Sequence, residues 1–136
     1  MGHAEVIVID TYVLIWWLSN PAELSARARK AIAAAAADNA LLVSTISVLE
    51  ITTLVRRGRL QLSVPVGTWL ADVRLLPEVR FTPVTVDIAQ MAGGFGDDVP
   101  GDLADRIISA TAMLLTAPLV TADAKLRAYK PLDTIW

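Results

Sequence analysis

Val6-Ile7-Val8-Ile9 is an unbroken β-branched run near the start of the chain, and it constrains the fold more than any other segment. A strand with one wet face alternates apolar and polar residues. This run does not alternate, so it predicts a strand covered on both faces, the habit of a parallel sheet in an α/β protein. Asp10 ends it. Residues 11–19 then read as a helix with Leu14, Trp17 and Leu18 on one face, stopped by Asn20-Pro21 because the residue before a proline avoids helical geometry.

The same alternation continues to the end of the chain. Ser25 can cap an alanine-rich helix running to about Asp38, Leu41-Leu42-Val43 reads as a second strand, and residues 46–57 as a helix with Gly58 placed to terminate it. Residues 66–76 look helical. Residues 79–84 look like a short strand whose Pro83 puts it at an edge or ends it there. Short helices follow at residues 85–92 and 123–129, with a longer one at 103–116 and a strand at 119–121. Residues 93–101, rich in glycine and carrying Asp97 and Asp98, form the only long irregular stretch and read as a surface connection of the kind that can border a site. With no internal repeat or linker, 136 residues predict a single α/β domain: three layers, a mostly parallel central sheet and helices on both sides.

Composition removes several classes of chemistry. The apolar share of 54% raises the question of a membrane span, but the longest uncharged stretch, residues 107–122, is interrupted by Pro118 and falls short of the ~20 residues a spanning helix needs. No membrane association is expected, and a cytoplasmic location is. There is no cysteine, which excludes disulfide scaffolds, thiolate metal sites and thiol nucleophiles together. The one histidine is His3, in a Met-Gly-His start that reads as an expression remnant. A net charge of −2 is not the basic surplus of an ordinary nucleic-acid binder. Bases do cluster, as Arg27, Arg29 and Lys30, as Arg56, Arg57 and Arg59, and as Lys125, Arg127 and Lys130. Such rims around an acidic centre suit a phosphate polymer held near a metal, although ordinary solvated helix faces look the same.

The acidic centre is drawn from Asp10, Glu50, Asp105 and Asp123, each where a short apolar run hands over to a helix or just inside one. In open α/β sheets the crevice lies beyond the carboxyl ends of the strands, so acids at strand ends and helix entrances converge there. Each also has a plainer reading. Asp10 and Asp123 can cap the helices they precede, and Asp102 with Asp105 can open the next one as cap and third residue. Ser47 and Glu50 have capping-box spacing. Against the plainer reading stand Ile46 and Leu54, four residues either side of Glu50, which put that carboxylate on a partly apolar face, and the polar ridge Asp102, Asp105, Ser109 on a helix otherwise dressed for a core.

Four segments carry a family resemblance. Val8 to Leu18, opening with Ile9-Asp10-Thr11; Val43 to Ile51, ending Leu49-Glu50-Ile51; Gly101 to Ala112, containing Asp102-Leu103-Ala104-Asp105; and Leu119-Val120-Thr121-Ala122-Asp123 resemble, in order and spacing, the signature blocks of PIN-domain ribonucleases. They are most similar to the VapC-type toxins of bacterial toxin-antitoxin pairs. The resemblance implies a PIN-like fold and a metal-dependent endoribonuclease with Asp10, Glu50, Asp105 and Asp123 as its acidic set. Thr121, Asp102, Thr11 and Ser47 would stand beside them as supporting polar residues, and a cognate antitoxin would mask the site. Two positions depart from the pattern: Tyr12 stands where many relatives carry another polar or aromatic residue, and Leu103 replaces a proline common after the first Asp of the third block.

The inventory then shapes the mechanism. Without a usable histidine or cysteine, histidine-based ribonuclease chemistry is closed, and an all-oxygen pocket selects Mg²⁺ or Mn²⁺ over Zn²⁺. Asp10, Asp105 and Asp123 are the expected ligands, Glu50 completes the shell or orients water, and the substrate is an RNA phosphodiester. Crowded carboxylates should hold protons more tightly than usual. The alternative is a non-catalytic acidic metal-binding module laid out like a signalling receiver domain. An aspartyl-phosphate phosphatase would need a second acid two residues after Asp10, where Tyr12 stands. Trp16, Trp17 and Trp69 offer aromatic surface for an antitoxin helix or a homodimer contact, or simply for the core.

Overall fold

The computed structural model describes residues 5–136, so the reading of the first three residues lies outside it. Five strands form one sheet in the order β3-β2-β1-β4-β5: β1 (Ile7–Ile9), β2 (Leu41–Ser44), β3 (Val79–Thr82), β4 (Leu119–Val120) and β5 (Thr134–Ile135). All four pairings are parallel, with Val8 facing Leu42 on one side and Leu119 on the other. β1 is therefore central, and all three of its residues are buried, as its unalternating sequence requires.

Successive residues of the central strands serve opposite layers. Ile7, Ile9, Leu41, Val43 and Val120 pack with residues of α1 (Thr11–Ser19), α2 (Ala26–Ala37), α3 (Ile46–Arg56) and α4 (Val66–Arg74). Val8, Leu42 and Leu119 pack with Ile108 and Ala112 and with Leu126, and the helices they come from close the other side: α6 (Leu103–Leu114) and α7 (Ala124–Ala128), with α5 (Val86–Gly94) packed against α6. The result is the expected three-layer arrangement. The chain lays down β1, β2 and β3 in one direction, then returns to the far side of β1 for β4 and β5. The direction reverses between β1 and β4, and that is where a crevice opens in such sheets. A receiver-like sheet runs 2-1-3-4-5, which this order does not match.

Two short elements escape the sequence reading. β5 has only two residues, bracketed by Pro131, Asp133 and the final Trp136, and a short 3-10 turn spans Pro21–Glu23. β5 exists because β4 needs a partner: Leu119 N–H donates to Asp133 O at 2.8 Å and Thr121 N–H to Ile135 O at 3.2 Å. Among the described residues, no helix is long and apolar enough to cross a membrane.

Three helices stop in the same way. Gly58, Asn39 and Thr116 follow α3, α2 and α6 with φ of 71°, 54° and 50°, and in each case the next residue's N–H reaches back to a carbonyl of the last turn, as Arg59 N to Leu54 O at 2.9 Å. Gly58 adopts this left-handed geometry freely and asparagine tolerates it. Thr116 is β-branched and does not. Thr116 is exposed, so Thr116→Gly should remove the strain without opening a cavity. The expected gain, net of the freer unfolded chain, is about 0.5–1 kcal/mol in urea unfolding. A loss of stability would mean that the Thr116 side chain holds the turn.

Candidate active site

The carboxyl ends of β1 and β4 are tied directly, Asp10 N–H donating to Val120 O at 3.2 Å, so Asp10 and the Thr121-Ala122-Asp123 segment face each other across the reversal. A cavity of about 370 Å³ opens there. Asp10, Glu50, Asp102, Asp105 and Asp123 all line it, with Thr11, Tyr12 and Trp16 on the same wall. The four expected acids and the supporting Asp102 thus share one crevice.

Capping and site membership are not alternatives here, because the caps are what aim the acids. Asp10 caps α1, accepting from Val13 N–H at 2.9 Å. Asp123 caps α7, one oxygen accepting from both Lys125 and Leu126 N–H at 2.9 and 3.0 Å. Asp102 and Asp105 form a reciprocal capping box on α6: Asp105 N–H donates to Asp102 at 2.9 Å, and Asp102 N–H to Asp105 at 3.2 Å. Each main-chain cap uses one carboxylate oxygen and fixes the side chain's direction. Leu103, at the first helical position of α6, is exposed, so leucine there leaves the acids undisturbed.

Glu50 is the exception. The Ser47–Glu50 capping box does not form: Thr45 occupies the cap position of α3 without a side-chain bond, and Ser47 is fully buried with its hydroxyl 2.8 Å from that of Thr11. Thr11 also stands near Glu50 and lowers its proton affinity. Thr121 is buried on the other wall, where its hydroxyl accepts Asp123 N–H at 3.1 Å. Ser109, by contrast, lies within the core with its hydroxyl unpartnered and is not part of the cavity wall.

Burial pushes the Asp10 carboxyl up from its ordinary value to about 6, with smaller contributions from the Glu50 and Asp123 charges, while hydrogen bonds from Thr121 and Val13 oppose the shift. Asp105 is pushed up to about 7, by burial first and the neighbouring Asp102 charge next. Burial also raises Glu50. Desolvation, more than the mutual repulsion expected from the sequence, is the main cause. Among the described residues, no three acidic or imidazole side chains are gathered tightly enough to close on one ion in this arrangement. The donor set is nevertheless all oxygen and acidic, with Asp10, Glu50 and Asp105 partly withdrawn from water, which fits a hard divalent cation.

Several neighbours of the site were not legible as such. Tyr12, Trp16 and Trp136 form an aromatic ladder with ring centroids 5.9 and 6.0 Å apart, and the last of these reaches it only because β5 turns the chain end back. Trp16 and Trp136 also pack against the core, as do the half-buried Trp17 and Trp69. A second groove of about 270 Å³ shares Glu50 and Asp102 with the site and continues along Leu49, Leu54 and Leu103 to Arg57 and Arg59, so the second basic cluster does border the acidic centre.

These shifts fix a sign for stability. Asp10 and Asp105 bind protons more tightly folded than unfolded, so their contribution is fully present below their ordinary carboxylate range and is lost as pH rises through about 6 and about 7. The melting temperature of the metal-free protein in EDTA should therefore fall between about pH 5 and about pH 8, and Asp10→Asn should flatten part of that fall. A midpoint that rises over this range would contradict the assignment.

Comparison with known proteins agrees with this architecture. The model of the PIN domain matches residues 7–131. The chain is 37% identical over 124 residues to Ribonuclease VapC22 of Mycobacterium tuberculosis, covering 91% of this chain and 92% of that one. Among solved structures, VapBC2 from Rickettsia felis bound to a promoter DNA fragment aligns with a TM-score of 0.67 at 15% identity, covering 95% and 97% of the two chains. A toxin-antitoxin complex from Klebsiella pneumoniae aligns with 0.60 at 21%, covering 90% of each. At such identities the structural likeness speaks to the fold; the domain match and the 37% relative go further, and by them this chain belongs to the PIN-domain family.

Proposed function

We propose that this chain, acting as a single catalytic domain, is a Mg²⁺- or Mn²⁺-dependent endoribonuclease and the toxin of a toxin-antitoxin pair. The observation that carries the reading is the gathering of Asp10, Glu50, Asp102, Asp105 and Asp123 around one crevice at the point where the sheet reverses direction. The relative named a ribonuclease supports the choice of RNA, and the neighbour titled a toxin-antitoxin complex supports the choice of partner. The receiver-like alternative draws no support from the strand order.

Asp10, Asp105 and Asp123 would hold the ion. When bound, it supplies Lewis acidity toward the scissile phosphate and acidifies water for in-line attack. The chain's own part is orientation and proton handling. Val13 N–H fixes Asp10, with Thr121 on the opposite wall, and the buried Thr11–Ser47 hydroxyl pair stands beside Glu50. Glu50, with its raised proton affinity, is suited to orient the attacking water and take its proton. Arg57 and Arg59 on the adjoining groove are available to a neighbouring phosphate of the strand. The apolar stretch of the same groove and the exposed face of Tyr12 suit an antitoxin segment that would cover the site, and a second copy of the chain is the other expected partner.

Asp10→Asn should reduce cleavage of single-stranded RNA in Mn²⁺ by at least about 100-fold while leaving far-ultraviolet circular dichroism unchanged. EDTA should silence the wild type and added Mn²⁺ restore it. Cleavage retained by the variant, in a preparation free of contaminating nuclease, would remove Asp10 from the mechanism. For the partner, co-expression with the neighbouring small open reading frame should yield a complex and relieve growth arrest. The absence of both complex and growth effect would overturn the toxin reading and leave the nuclease reading standing.

A further inference from the structure

We propose that Arg106 is a positioning residue for the Asp102–Asp105 carboxylate pair, holding residues 95–101 by their main-chain carbonyls so that both side chains stay on the cavity wall. The inference rests on the reading of that cavity as a divalent-cation site.

Arg106 follows Asp105 directly, yet its guanidinium turns away from the acids. One terminal nitrogen donates to Gly96 O and Val99 O, both at 3.3 Å, and the other to Ala92 O at 3.3 Å and to Phe95 O. The group also lies over the Phe95 ring, 5.6 Å from its centroid. Ala92 belongs to the last turn of α5, whose carbonyls have no partner within the helix. One planar fork of donors thus closes the end of α5 and gathers a loop that has no ladder of its own.

What that loop delivers is the capping box. Asp102 N–H must meet the Asp105 carboxylate, and its position depends on how the chain enters α6. The entry is tight. Gly101 has φ of +103°, and a Cβ added there would collide with Asp105 Cβ and lie 2.8 Å from its Oδ2. Asp105 therefore rests against bare backbone, with no slack between loop and carboxylate. If the Arg106 anchor is released, residues 95–101 are free to shift, Gly101 backs away, and the two acids lose their mutual restraint. Lysine cannot substitute, since a single ammonium cannot span carbonyls at Ala92, Phe95, Gly96 and Val99.

Titration of MnCl₂ into metal-free wild type, Arg106→Lys and Arg106→Gln by calorimetry, with amide hydrogen exchange on the same samples, tests this. Both variants should bind Mn²⁺ at least about tenfold more weakly, with no rescue by lysine. The Asp102 and Asp105 amides should lose protection while those of Ile108, Ala110 and Ala112 keep it. Wild-type Mn²⁺ affinity in Arg106→Lys, or unchanged protection at the two Asp amides, overturns the proposal. Should wild type itself take up no Mn²⁺, the cation reading fails, and the amides alone decide the positioning claim: lost protection in the lysine variant sustains it, retained protection overturns it. If neither variant folds, nitrogen resonances of the wild-type guanidinium decide, with resolved Nη signals expected from a clamped group and a single averaged signal excluding the clamp.

Discussion

Main-chain N–H groups at helix entrances hold acidic side chains in a place those side chains would otherwise avoid, and the rest of the site depends on that hold. A carboxylate withdrawn from water and set beside others tends to rotate outward or bind a proton. Asp10 and Asp105 are the two withdrawn in this way, held by main-chain amides at the entrances of α1 and α6, while the exposed Asp102 and Asp123 are aimed by amides at the entrances of α6 and α7. The caps set direction but do not supply a full positive charge, so the strain persists as raised proton affinity at Asp10 and Asp105. Under the proposed function, a divalent cation would remove the same strain by another route. One physical conflict thus links the caps to the raised proton affinities of the crevice.

The fold was largely readable because its decisive signals are local. Val6 to Ile9 lacks alternation, Asn20-Pro21 and Gly58 end helices, and Pro83 marks the limit of an edge strand; each acts within a few residues of itself. β5 was not readable, since two residues between Asp133 and Trp136 carry no periodicity, and the strand forms only because β4 presents an open edge. Thr116 in a left-handed turn runs against its own preference for the same reason, the end of α6 being set by packing in place of local conformation.

The acidic lining of the crevice was readable in sequence, but the bonds that hold it were not. Strand ends and helix entrances are visible in sequence, so Asp10, Asp105 and Asp123 could be placed; Glu50 could be placed because a carboxylate flanked by Ile46 and Leu54 needs a reason. The capping geometry that sequence offers as a competing explanation turns out to be the means by which three of the four are aimed. Arg106 gave no such signal. A lone arginine after an aspartate looks like a salt-bridge partner, and only the coordinates reveal that its donors go to four carbonyls of a glycine-rich loop. Ser47 and Thr11 were legible as supporting residues through the family resemblance, but the bond between their hydroxyls shows only in the fold.

A divalent cation entering this crevice has to displace protons, and that exchange can be counted directly. Calorimetric titration of Mn²⁺ into the metal-free protein at about pH 6.5, repeated in buffers of different ionisation enthalpy, gives the number released on binding. With Asp10 near 6 and Asp105 near 7, binding should expel protons, fewer as the pH is raised past about 8, and fewer again in Asp10→Asn. Tight Mn²⁺ binding without proton release, or with release unaffected by Asp10→Asn, would place the cation elsewhere and contradict the account.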